Sequence, residues 1–301
     1  MAELTPNVFL IGVQKAATTS LYDWLAQHPE VCAPFSMKDT PFFIDDELFE
    51  KGTKFLDRIY RDEYSGQPAV LNGSANIIYF EKAIQRIASL NPDAKLILVL
   101  RNPVERAISA YNFAVKRNME QEILHKAISL EESRIREGDL RTLSNNTYVD
   151  HGRYFTQITR LRKYFPAESA HIVFYEEIKN DPLAVVRDAY EFIGVDPDFE
   201  PELKQLNKTG EVRFPWIRNA LYSQSGIKKA LVRYIIDPLV PYNLKYKLKI
   251  FFLNLVTSQK SKKRVANPDD NKTRELIREA LSEEIEQLEE LLGTDLQSWK
   301  S

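Results

Sequence analysis

The sequence predicts a three-layer α/β domain whose mainly parallel central sheet is flanked by helices, with a P-loop-like turn at its first strand. Three observations carry this. Val8 to Val13 (VFLIGV) is an apolar run that passes through Gln14-Lys15-Ala16-Ala17 into Thr18-Thr19-Ser20, where a helical stripe of Leu21, Trp24 and Leu25 begins. Lys95 to Leu100 (KLILVL) is a continuous aliphatic run bounded by polar residues, as a fully buried parallel strand requires. Short aliphatic runs also alternate with longer helical patterns, which places strands near 7–13, 69–74, 95–101 and 171–176. A ligand is expected at the carboxyl ends of these strands, where open α/β sheets form their crevices.

The first strand–loop–helix junction presents unpaired N–H groups and the positive end of a helix dipole. Lys15 adds a point charge, and Thr18, Thr19 and Ser20 add three hydroxyls. The junction suits a phosphate or sulfate. It is not a Walker A loop, which needs lysine beside the hydroxyl that holds Mg²⁺; here two alanines separate them. The Lys95–Leu100 strand points the same way. A metal-holding strand of a nucleotide hydrolase ends in aspartate, but this one ends in Arg101, followed by Asn102-Pro103 and a helix, Val104 to Lys116, that carries Ser109. Pro103 suits a first helical turn. Arginine and serine in these places suggest a second anion site.

The remaining elements follow in order. Residues 115–147 are polar and charge-rich, and are expected to be helix plus a mobile loop around Ser144-Asn145-Asn146. His171 to Glu176 (HIVFYE) reads as another buried strand, and Phe192-Ile193-Gly194 as the end of the helix after it. Residues 228–264 hold ten Lys or Arg against one acid, Asp237, although the whole chain carries only −2. Such a basic segment attracts anionic partners, including membrane headgroups, or is simply solvated beside the core. An acidic amphipathic helix is expected from about Lys272 to Leu292, within a C-terminal helical region 270–299. With no repeat, zinc spacing or Gly/Ser linker, residues 1–301 read as a single domain.

These motifs together resemble the sulfotransferases that use 3′-phosphoadenosine-5′-phosphosulfate (PAPS), in the branch of the heparan-sulfate enzymes and their bacterial relatives. QKAATTS is similar to the K-x-G-T-T loop of that family, and Arg101, Asn102, Pro103, Arg106, Ser109 and Tyr111 complete its R-[DN]-P-x-x-R-x-x-S-x-Y motif. Lys38-Asp39-Thr40-Pro41-Phe42-Phe43 resembles the K-E-x-x-F-F segment, whose acid is the catalytic base. Gly73-Ser74-Ala75-Asn76 resembles the turn after the second buried strand, and Tyr148, Gly152 and Tyr154 fit Y-x-x-x-G-x-Y. Asn207-Lys208-Thr209-Gly210 with Arg213 resembles a late loop covering the co-substrate. The resemblance implies that Lys15 and residues Ala16, Ala17, Thr18, Thr19 and Ser20 hold the 5′-phosphosulfate. It implies that Arg101 and Ser109 hold the 3′-phosphate, with Tyr148, Lys208, Thr209, Gly210 and Arg213 around the co-substrate. The product would be 3′-phosphoadenosine-5′-phosphate, formed without a metal. Two departures stand out. Ala17 replaces the usual glycine, so that position is expected to avoid positive φ. Asp39 replaces glutamate, which shortens the base by one methylene.

Composition agrees with one soluble domain. A chain of 301 residues with 44% hydrophobic content can bury a large core. Its single cysteine, Cys32, excludes an intramolecular disulfide, fits a reducing compartment and reads as a small core residue. Met1 to Pro6 is too short and polar for a signal, so a cytoplasmic protein is expected. Asp39 is the candidate base and His151 the reserve. An unperturbed aspartate titrates at about 3.9, so Asp39 depends on its surroundings. Nearby Phe42 and Phe43 would raise it by burial and Lys38 would lower it. A carbohydrate hydroxyl is the first acceptor, an amine is allowed, and a lipid or polyketide-type hydroxyl is second. No nucleic-acid partner is expected; the basic segment 228–264 allows peripheral membrane or polyanion contact, with a merely solvated segment as the alternative. A small-molecule kinase and a non-catalytic nucleotide- or polyanion-binding protein are the alternatives of another class.

Overall fold

The structure, a computed structural model, describes residues 3–34, 37–203, 211–212, 257–258 and 269–300. Five parallel strands form the central sheet: β1 (Val8–Gly12), β2 (Val31–Cys32), β3 (Ala69–Gly73), β4 (Lys95–Leu100) and β5 (Ala170–Phe174). Their order is β2-β3-β1-β4-β5. β1 lies at the centre, with Val8 opposite Leu71 of β3 on one side and Lys95 of β4 on the other. Leu96 of β4 pairs with Ala170 of β5.

Every residue of β1 and β3 is buried, because helices cover both faces and an alternating pattern would leave polar side chains in the core. This explains why β1 and β4 read as long apolar runs, whereas β3 carries one polar residue, Asn72, that is fully buried. β2 has only two residues, too few to show a pattern, and the sequence did not reveal it. β5 stops at Phe174, and Tyr175 opens the helix Tyr175–Asn180, so the strand expected over 171–176 is shorter at its carboxyl end.

Glycines let the strand ends approach their neighbours. A Cβ on Gly73 would lie 2.4 Å from the ring of Tyr22, and one on Gly12 would lie 2.6 Å from Ile78. Helix Thr18–Ala26 therefore sits close against the end of β3. Helix Pro103–Lys116 follows β4, and Asn102 caps it by accepting from Val104 N and Glu105 N at 3.0 and 3.2 Å.

Residues 115–147 are ordered, in contrast to the loop expected around Ser144-Asn145-Asn146. They form short helices Leu124–Ser129, Glu131–Glu137 and Leu140–Asn145. A buried polar network explains the order: Arg134 pairs with Glu120 at 2.9 Å, while Asn146 and Tyr148 both donate to Glu120. The C-terminal helix Asp269–Leu292 buries Ile277, Leu281, Ile285 and Leu288 as one stripe. Its Glu284 accepts from Thr156 N and Oγ1, which caps helix Tyr154–Leu161 from outside. Trp299 follows, packed edge-on to Tyr154 and Phe174. No helix among the described residues is long and apolar enough to cross a membrane. The basic segment 228–264 lies outside the described residues apart from 257–258.

Candidate active site

The carboxyl ends of β1, β3 and β4 converge on one place. β1 runs into Val13 to Ala17, β4 into Arg101, and β3 ends at Gly73, against which Lys38 forms a parallel bridge. Lys15 and Ala17 both adopt left-handed backbone, at φ 74° and 61°. The expectation that Ala17 avoids positive φ is thus overturned. The turn fixes it, since the Ala17 carbonyl accepts from both Ser20 N (3.0 Å) and Leu21 N (3.1 Å) to start the helix. Asp39 is left-handed as well, at φ 62°. Such conformations cost of order 1–2 kcal/mol each for residues with a Cβ. Among the described residues, three of the four non-glycine positions with positive φ lie here, which marks the place as one held against local preference.

Helix Thr18–Ala26 begins without a side-chain cap and has no acid in its first turn. Its leading N–H groups and dipole therefore stand ready for an anion. Thr18 and Ser20 are buried in the turn and Thr19 is half-buried. Four cations gather round it. Burial is the main cause that pushes Lys15 down to about 8, and Arg117, Arg101 and Lys116 push it further, while Asp39 acts in the opposite direction. Arg101 is held from three sides: its Nη1 donates to the Lys15 carbonyl at 2.8 Å, its guanidinium lies 4.5 Å from the Tyr175 ring, and its carbonyl accepts from Tyr154. Ser109, two helical turns beyond, is half-buried. Clustered cations around open N–H groups fit a phosphorylated or sulfated ligand. Among the described residues no three His, Cys, Asp or Glu side chains gather in a way that would hold a metal ion.

Asp39 stands at the mouth with its side chain 62% exposed, while Lys38 beside it is only 3% exposed and reaches Asp39 Oδ1 at 2.7 Å. The Asp39 N–H donates to the Gly73 carbonyl at 2.5 Å, which ties this segment to the end of β3. Phe42 and Phe43 are buried in the core behind it, packed edge to face at 5.0 Å, and do not cover the carboxylate.

Residues 5–210 match the family model for the sulfotransferase domain. The chain belongs to the sulfotransferase family. It is 29% identical over 209 residues to the mouse bifunctional heparan sulfate N-deacetylase/N-sulfotransferase 4, a match covering 64% of this chain and 23% of that protein. It is 28% identical over 201 residues to mouse heparan sulfate glucosamine 3-O-sulfotransferase 5, covering 65% of this chain and 56% of that one. The match thus spans less than two thirds of either relative's length. A sulfotransferase from Alicyclobacillus acidocaldarius shares the fold at a TM-score of 0.70 with 25% identity, over 99% of this chain and 100% of that one.

In this chain the other expected site residues are placed differently. Tyr148 is completely buried and its hydroxyl donates to Glu120 at 2.9 Å, so its side chain belongs to the core network and not to a ligand surface. Arg106, of the same motif as Arg101, is also fully buried and donates to the Tyr148 carbonyl. It braces the helix from within. His151 is buried, stacked on Tyr79 with ring centroids 3.7 Å apart, and its Nε2 donates to the Leu143 carbonyl at 2.9 Å. Burial, then Arg106, push its pKa down to about 3. That environment suits packing, not proton transfer with a solvent-borne acceptor. Lys208, Thr209, Gly210 and Arg213 lie outside the described residues. Cys32 is buried, and burial pushes its thiol up to about 12, consistent with a small core residue.

Three residues went unremarked in the sequence. Phe113 lies 4.2 Å beneath the Lys15 ammonium and 4.4 Å from the Arg117 guanidinium, and Lys116 adds a further charge. One signal was available: Phe113 follows Ser109 by four residues and so shares its helix face.

Proposed function

We propose that this chain transfers a sulfuryl group from PAPS to a hydroxyl, or an amine, of a carbohydrate acceptor. The observation that carries the reading is the 2.8 Å hydrogen bond from Arg101 to the Lys15 carbonyl, which joins two anion-holding segments 86 residues apart. One anion site would serve many ligands. Two, fixed to each other at the strand ends, match a donor with phosphate groups on both sides of a ribose.

PAPS, when bound, supplies a sulfuryl group on a phosphate leaving group. Lys15 and the first-turn N–H groups of helix Thr18–Ala26 would hold its 5′-phosphosulfate and offer charge where the departing oxygen becomes negative. Arg101 and Ser109 would hold the 3′-phosphate, with guanidinium geometry favouring two parallel bonds. Asp39 would accept the acceptor's proton, since it is the exposed carboxylate at the mouth whose charge Lys15 feels. Lys38 holds Oδ1 and fixes the orientation of that carboxylate. Lys208, Thr209, Gly210 and Arg213 would close over the co-substrate, as the family resemblance implies. The carbohydrate acceptor is supported by the names of the relatives, which act on heparan sulfate.

Calorimetric titration with PAPS and with ATP, each with and without Mg²⁺, tests the donor. PAPS should bind without the metal and ATP much more weakly. Tight Mg²⁺-dependent ATP binding would instead indicate a kinase. Radiolabelled PAPS offered with glycan and lipid acceptors tests the second half; label in lipid alone would overturn the carbohydrate assignment and leave the donor standing.

A further inference from the structure

We infer that Phe113 is a positioning residue for the donor site, its ring holding the Lys15 ammonium in place and coupling the loop to helix Pro103–Lys116. The inference rests on the donor assignment above. Lys15 Nζ lies 4.2 Å from the centroid of the Phe113 ring, and the Arg117 guanidinium shares that ring at 4.4 Å. Both distances fall within the roughly 6 Å over which a ring face attracts a cation. Ser109 and Phe113 occupy one face of the helix, four residues apart. One helix thus presents a hydroxyl toward the proposed 3′-phosphate position and a ring beneath the proposed phosphosulfate lysine.

Physical reasoning explains why an aromatic residue is suited to this place. A lysine side chain has about 2 kcal/mol of rotamer entropy and needs something to hold it. The charged groups from the helix end and the strand end that act most on Lys15 repel it: Arg117 and Lys116 from the former, and Arg101, just past β4, from the latter. Asp39, from the segment bound to Gly73, attracts it but stands at the exposed mouth. A carboxylate in place of Phe113 would hold the ammonium more strongly. It would also cancel the charge and repel an incoming phosphosulfate. The ring attracts the cation through its quadrupole and leaves the full positive charge for the ligand. The same ring keeps Lys15 and Arg117 near each other despite their repulsion.

The test uses the full chain carrying Phe113→Tyr, Phe113→Leu, or pentafluorophenylalanine at position 113, which keeps the ring's shape and removes its attraction for cations. Binding of 3′-phosphoadenosine-5′-phosphate is titrated calorimetrically from pH 6 to 10, and kcat and KM for PAPS are measured alongside. A cation–π contact of about 0.5–2 kcal/mol corresponds to ~2- to 30-fold in affinity. Phe113→Leu and the fluorinated ring should both lose affinity in that range, and the pH at which binding fades should move down, because the ammonium has lost a partner. Phe113→Tyr should match the wild type in affinity and midpoint. A fluorinated variant that binds like wild type with an unmoved midpoint overturns the inference, even if Phe113→Leu fails to fold. Lys15→Ala separates the two layers. If it leaves bisphosphate binding intact, the donor assignment fails; if it abolishes binding while the fluorinated ring has no effect, only the role of Phe113 fails.

Discussion

Replacing Lys15 with methionine should make the unliganded protein more stable and, at the same time, unable to hold its donor. Burial and three neighbouring cations bring the Lys15 pKa from an ordinary 10.5 down to about 8. At 1.36 kcal/mol per pH unit, that drop corresponds to ~3 kcal/mol of cost for keeping the charge in place. Methionine retains the apolar stem and discards the charge, and the lost contact with Phe113 returns about 0.5–2 kcal/mol. A net gain of ~1–3 kcal/mol should raise Tm by about 2–5 °C at pH 7 for a chain of this length. The pH dependence has a definite sign. Below about 8 the lysine is charged in both folded and unfolded states, and the penalty is fully present. Between about 8 and 10.5 the unfolded chain binds more protons than the folded one, so wild-type stability rises with pH relative to the variant. Thermal unfolding from pH 7 to 10.5, with and without 3′-phosphoadenosine-5′-phosphate, reads all of this. The gap should narrow toward pH 10, and the nucleotide should raise Tm of the wild type only. A Lys15→Met protein less stable than wild type at pH 7, or a gap constant in pH, would refute the reasoning.

Three further outcomes are expected. Asp39→Asn keeps the shape and removes the base, so turnover should fall by roughly 10²–10⁴-fold in a transfer assay while PAPS affinity measured by calorimetry barely changes; near-normal turnover would place the base elsewhere. Arg101→Lys should weaken 3′-phosphoadenosine-5′-phosphate far more than a nucleotide lacking the 3′-phosphate, because lysine cannot supply two parallel bonds, and equal losses would show that Arg101 does not read that group. Ala17→Gly relieves a left-handed alanine at φ 61° while freeing the unfolded chain, so stability should rise by up to ~1 kcal/mol in denaturant titrations; a loss of that size would mean the methyl group does more than strain the turn.

The sulfotransferase fold was legible because its central strands are buried on both faces. VFLIG and KLILVL can be read without knowing their partners, and Pro103 announced the helix that follows β4. The features behind the two proposed anion segments were legible as well, since they are local: an open helix start, a lysine beside it, and an arginine at a strand end. What the sequence alone determined was therefore the set of elements and the chemistry carried within single elements. Tertiary structure decided everything that depends on contacts between distant residues. It buried Tyr148 against Glu120 and His151 against Tyr79, although nothing in their local sequence separates a site tyrosine or histidine from a core one. It ordered residues 115–147 through the Glu120–Arg134 pair, where a high charge content alone reads as solvated loop. It forced Ala17 into a conformation that alanine disfavours, because the turn into helix Thr18–Ala26 outweighs one residue's preference. It also set Phe113 beneath Lys15, 98 positions earlier in the chain. Burial and long-range pairing are sums over the whole fold, so no window of sequence contains them.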